Sequence, residues 1–189
     1  MSKQTPSQTI GPFFHVALLG GDQNVLVNAQ TRGERISITG QLLDGEGKPV
    51  PDAMLEIWQA DAAGIYRHPA DPRHTQADPH FTGFGRCGTA NAGRFSFKTI
   101  KPGGVAWDTE QSQAPHISVR LFSRGIITHA VTRLYFPDEL SNASDPVLST
   151  LDPRRRRTLI ASREETAELP TYAFNIVLQG ELETAFFTP

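Results

Sequence analysis

The sequence predicts an all-β fold, an antiparallel β-sandwich with long loops, and three observations predict it. Six stretches alternate apolar and polar residues or concentrate β-branched and aromatic ones, the signature of half-buried strands. Turn formers are abundant, with 16 Gly and 14 Pro in 189 residues. No strand-helix-strand rhythm recurs, which argues against a parallel sheet wrapped in helices.

Taken in order, residues 1–34 carry Pro, Gly, Asn and Gln with little periodicity and read as an extended arm in need of a surface to pack on. Residues 35–189 read as a single domain. From Arg35 onward, Ile36, Ile38, Gly40 and Leu42 alternate with Ser37, Thr39 and Gln41, and the strand ends at the Asp44-Gly45 turn. Met54 to Trp58 resumes strand character. Further strands are expected at Arg94 to Thr99, Ile117 to Phe122, Ala130 to Phe136 and Tyr172 to Leu178. Only Asp152 to Glu165 reads as a helix, because Asp152 can cap it, Pro153 suits its first turn, and Leu159 and Ile160 form an apolar patch among charges. Two long loops remain. Gly64 to Gly85 holds Tyr66, His68, His74 and His80, and Lys101 to Pro115 leads into His116. Structureless loops of this length are commonly functional.

Bulk properties remove several classes of function. A net charge of −2 provides no basic field for a nucleic-acid backbone. The start MSKQTPSQTIGPFF lacks the basic and apolar regions of a signal peptide, and no apolar run approaches the ~20 residues of a membrane span, so a cytoplasmic location is expected. Cys87 is the sole cysteine, which rules out an intrachain disulfide and leaves oxygen and nitrogen as ligands for any metal. Cys87 itself reads as a buried inert thiol. The run Arg154 to Arg157 follows a Pro and leads toward Glu164 and Glu165, and it reads as a solvated or interface helix face. Asn142-Ala-Ser144 matches a glycosylation acceptor, which has meaning only in a secreted protein.

Taken singly, Tyr66 in Gly64-Ile65-Tyr66-Arg67-His68 and His116 after Pro115 are ordinary packing or hydrogen-bonding residues. The ordered series is more specific. Leu55 to Asp61, Gly64 to His68, Phe84-Gly85-Arg86, Phe97 to Gly103, Pro115-His116-Ile117 and Leu134-Tyr135-Phe136 together resemble the intradiol ring-cleavage dioxygenases. Ser7 to Phe13, Gln113 to Ser118 and Thr171 to Glu181 look most like the alpha chains of the family's two-subunit, protocatechuate-cleaving members, and this similarity covers nearly the whole sequence.

The resemblance implies an iron-dependent reaction with O2 in aromatic catabolism, cleaving the ring of 3,4-dihydroxybenzoate between its hydroxylated carbons to give 3-carboxy-cis,cis-muconate. The family holds Fe(III) with two Tyr and two His. Tyr66 and His116 match one of each, whereas Val105 stands at the second Tyr position, Ser118 at the second His, and Gln113 replaces an Arg just before the pair. No metal is therefore expected on this chain; His68, His74 and His129 have no spacing that would make up the loss. The resemblance assigns the Fe(III) to a homologous beta subunit as partner. It implies that the arm packs on that subunit and that Thr9, Gly11, Pro12 and Phe13 wall a shared substrate pocket. Arg124, in Phe122-Ser123-Arg124-Gly125-Ile126, would face the substrate carboxylate. Arg133 reads instead as a structural ion-pair residue of its strand. Two alternatives remain open at this point: a homo-oligomeric enzyme with an unusual iron site of its own, and a transthyretin-like module that only binds.

Overall fold

The computed structural model describes residues 6–11, 13, 17–164 and 169–188. Two sheets face each other. The first is built on β1 (Arg35–Leu43), which pairs antiparallel with β4 (Arg94–Ile100) on one edge. On its other edge β1 pairs in parallel with β10 (Thr171–Ala173) and β11 (Ile176–Val177), and β9 (Ser162–Glu164) closes that side against β10. The second sheet has the order β3 (Phe84–Gly88), β2 (Met54–Trp58), β7 (His116–Phe122), β8 (Ala130–Tyr135), antiparallel throughout. A two-stranded hairpin, β5 (Val105–Ala106) and β6 (Ser112–Gln113), stands apart.

Alternation along the strands makes the core. Ile36, Ile38 and Leu42 of β1, with Phe95 and Phe97 of β4, face Leu55 and Ile57 of β2 and Ile117, Val119 and Leu121 of β7. The opposite residues of β2, β7 and β8 are thereby turned to the outer face of the second sheet. A smaller cluster of Ala114, Tyr135, Leu148, Leu159 and Ala185 backs that face.

The sandwich is as expected, but four local readings change. The first sheet is mixed, since the C-terminal strand runs parallel to β1. That strand is also split: Phe174 N–H donates to Thr39 O and the Asn175 side chain accepts from Gln41 N–H, so the chain leaves the ladder for two residues before β11. The helix expected over 152–165 is only α1 (Pro153–Arg157), capped by the Asp152 carboxylate as its composition suggested. Beyond it the chain extends into β9, because Ser162 to Glu164 complete a ladder with β10; Glu165 lies outside the described residues. Finally, β3 begins in the last two residues of the first expected loop and continues through a stretch given no strand, and the β5–β6 hairpin lies inside the second expected loop.

Part of the arm is tied to this chain. Leu26 enters the main core, its N–H donates to Lys98 O, and the Thr31 hydroxyl donates to His80 O. No helix among the described residues is long and apolar enough to cross a membrane.

Candidate functional site

The candidate site lies on the outer face of the second sheet, where two loops meet it. Residues i and i+2 of a strand share a face, so His116 and Ser118 emerge side by side from β7. Opposite them in β8 stand Tyr135 and Arg133, paired as His116 with Tyr135 and Ser118 with Arg133; on the other side Trp58 of β2 is paired with Ser118. The Trp58 ring stacks on Tyr66 with centroids 5.8 Å apart and planes 10° from parallel, which brings the first loop onto the sheet.

Buried polar residues of the Trp58-Gln59-Ala60-Asp61 stretch shape that loop. Asp61 Oδ1 accepts from the N–H groups of Ala63 and Ile65, and its Oδ2 accepts from Asp78 N–H. Its main-chain carbonyl accepts from Gly103 N–H, which joins the first loop to the second. The Gln59 amide donates to Ile100 O, and its carbonyl accepts from the Thr99 hydroxyl. Asp71 receives Tyr66 N–H and pairs with Arg73 at 3.1 Å. The second loop places Val105 directly opposite Gln113 in the β5–β6 hairpin.

Two cavities flank Trp58. One of about 450 Å³ is lined by Glu56, Trp58, His68, Phe84, Ser118 and Arg120 among others. The other, about 360 Å³, is lined by Trp58, Tyr66, His68, Asp71, Arg73 and Val105 among others. The structure therefore gathers Tyr66, Val105, His116 and Ser118 around one locus. It leaves His74 outside, hydrogen-bonded through Nδ1 to Asp71 O, and His129 packs on Phe122.

The electrostatics are those of a cationic, partly dry site. Burial pushes the Tyr66 phenol up, offset only in part by the Arg133 charge, so it stays protonated. Burial, reinforced by Arg133, pushes His116 down to about 4, so its imidazole is neutral; Nδ1 meets Ala114 O at 2.8 Å. Arg133 forms no ion pair among the described residues, contrary to the sequence-based expectation. Its Nη1 donates instead to Gln113 Oε1 at 2.7 Å and Tyr135 Oη at 3.3 Å. Sequence reasoning also missed Asp145. This fully buried carboxylate accepts from the N–H groups of Ala114, Val147 and Leu148 and from the Tyr135 hydroxyl, fixing the chain just before His116. An Asp followed by Pro gave no signal beyond a turn.

The arm and Arg124 meet elsewhere. Gly125 N–H donates to the Thr9 hydroxyl at 3.0 Å, and Arg124 Nε lies 2.8 Å from Asp52 Oδ2. Arg124 is 77% exposed, and Phe13 and Ile127 expose 85% and 64%. Gly11 is exposed, and Pro12 lies outside the described residues.

The dioxygenase family model matches residues 10–180. The chain belongs to the intradiol dioxygenase family. It is 45% identical to a protocatechuate 3,4-dioxygenase alpha chain of Burkholderia cepacia, over 98% of this chain and 97% of that one. A protocatechuate 3,4-dioxygenase beta chain of the same species is 37% identical over 92% of this chain and 75% of its own length. Among solved structures, the dioxygenase domain of a dioxygenase carbohydrate-binding protein fusion from Streptomyces sp. SirexAA-E is 26% identical with a TM-score of 0.64, covering 97% of this chain and all of that one. Agreement along the whole chain places it among ring-cleaving enzymes and away from modules that share only the sandwich.

Intradiol dioxygenases are non-haem iron enzymes, and the residues at this locus do not fit that ion. Fe(III) is a hard cation that needs anionic oxygen ligands to offset its charge. Val105 supplies hydrocarbon and Ser118 a neutral hydroxyl, which leaves Tyr66 as the one phenol to offset that charge.

Proposed function

We propose that this chain works as the alpha-type subunit of a cytoplasmic protocatechuate 3,4-dioxygenase, paired with a homologous beta subunit that carries the Fe(III). The observation that carries this reading is the coincidence of a 45% identical alpha-chain relative with a locus that retains only Tyr66 and His116 of the family's ligand set. The assembled pair opens protocatechuate with O2.

This chain's part is to shape and charge the partner's pocket. Arg124 anchors the substrate carboxylate, leaving the two hydroxyls free for the far end of the pocket. A guanidinium has five N–H donors in a planar fork that matches a carboxylate, and a contact through Nε to Asp52 leaves others to offer. The hydrogen bond from Gly125 to Thr9 supports grouping the arm with the Arg124 loop in one wall. Thr9, Gly11 and Phe13 form the rest of that wall. The exposure of Phe13 and Ile127 fits surfaces that a partner covers.

Co-expression with its iron-binding homologue should yield one complex that consumes protocatechuate and O2, while the chain purified alone should contain no stoichiometric iron. In that complex Tyr66→Phe should keep wild-type activity. One tightly bound Fe(III) in the isolated chain, with the visible absorption of a tyrosinate-iron bond, would overturn the assignment.

A further inference from the structure

We infer that the Arg133 guanidinium stands in for the metal at this chain's degenerate locus and keeps a metal ion from binding there. The inference rests on the family match of the ligand positions used in the proposed function.

Three placements support it. First, Arg133 is the direct cross-strand partner of Ser118, one of the two lost ligand positions. Opposed residues of an antiparallel pair share a face with Cβ atoms about 4.5–5.5 Å apart, so Arg133 leaves the sheet beside a residue too small to fill the space. Second, its head group is tied to the neighbour of the other lost position. Nη1 donates at 2.7 Å to Gln113, and Gln113 is the hairpin partner of Val105. The side chain therefore runs from the neighbour of one missing ligand to the neighbour of the other. Third, Nη1 also donates at 3.3 Å to the hydroxyl of Tyr135, whose ring packs on the surviving donor His116 with centroids 5.6 Å apart.

The surroundings keep this charge in place without cancelling it. Its hydrogen-bond partners, Gln113 and the Tyr135 hydroxyl, are neutral. The nearest carboxylate in this network, Asp145, is one hydrogen bond further on, beyond Tyr135. A trivalent cation entering the locus would meet a fixed positive charge in a part-buried setting where screening is weak. Replacing the missing ligands would thus not be enough to restore a metal site.

The test compares two full-length variants, Val105→Tyr with Ser118→His, and the same pair with Arg133→Gln. Each is loaded with ferric or ferrous iron under air, checked for fold by circular dichroism, and assayed for iron above the wild-type content and for tyrosinate-iron absorption. The double variant is expected to gain no iron, and the triple variant up to one Fe(III) per chain with the visible band. Arg133→Met serves in the triple variant should Arg133→Gln not fold. Equal iron uptake by both variants would overturn the inference, and so would a folded triple variant that takes up none. The subunit assignment is decided separately, by the activity and iron content of the wild-type complex.

Discussion

At the scale of single residues, Arg124 and Tyr66 carry opposite expectations. Arg124 is 77% exposed in this chain and held by a half-exposed Asp52, an arrangement of little worth in open water. Its value depends on what the partner does to its surroundings. Where the assembled pocket excludes water, a guanidinium-carboxylate contact contributes about 1.5–3 kcal/mol. Arg124→Ala in the complex should then raise KM for protocatechuate on the order of ten- to a hundredfold with a smaller change in kcat. Steady-state kinetics decides it: an unchanged KM would place Arg124 outside the pocket. Tyr66 stacks on Trp58, and under the proposed assignment its hydroxyl is dispensable while its ring is a packing element.

At the scale of elements, the two loops that frame the locus are pressed together at glycine. Gly64 has φ +71, and a Cβ there would lie 1.9 Å from Gly104 O; a Cβ on Gly103 would lie 2.6 Å from both Ala62 O and Gly64 N. These neighbours are backbone atoms that cannot swing aside. Gly103→Ala should therefore cost about 1–3 kcal/mol, as overpacking does, lowering the urea midpoint with an unchanged m-value. The strands of the core were legible because Ile36, Ile38 and Leu42 or Ile117, Val119 and Leu121 alternate openly. β3 was not legible, since Phe-Gly-Arg-Cys-Gly has no such pattern. Gly85 is there because a Cβ would meet Leu26 Cδ1 at 2.6 Å and Gln23 O at 3.0 Å, where the arm crosses the sheet. β9 was hidden for another reason: Ser162, Arg163 and Glu164 are all exposed and the last two are charged, as suits a sheet edge that must not recruit other strands.

At the scale of the whole molecule, burying His116 couples stability to pH. Its unfolded imidazole titrates near 6.5 and its folded one at about 4, so between these values the unfolded chain binds a proton that the native chain does not. Stability from this group is fully present above pH 6.5 and falls as pH drops toward 4, by on the order of 3 kcal/mol in all. The carboxylates of Asp71, Asp78 and Asp138 act lower. Burial opposes their ionisation, but hydrogen bonds and cations outweigh it and hold them below the usual range. Their contribution is present above about pH 4 and is lost only below it. Urea titrations at pH 7 and pH 5 should show a loss in the wild type that is much smaller in His116→Gln. Parallel losses in the two proteins would remove His116 as the cause.

The sequence by itself predicted a sandwich, and its resemblance to this family is what led to the reading of Val105, Ser118 and Gln113 as replacements of ligand-shell residues, because alternation and residue identity are properties of the chain as written. Only the tertiary structure placed Arg133 at this locus. Arg133 reads from sequence as a structural ion-pair residue, whereas strand register sets it opposite Ser118 and the hairpin brings Gln113 to its tip. Likewise Thr9 and Gly125 are 116 residues apart and become neighbours only by folding. Local pattern fixes which face of a strand a side chain takes, whereas its partners depend on register and loop packing, which contacts between distant parts of the chain set.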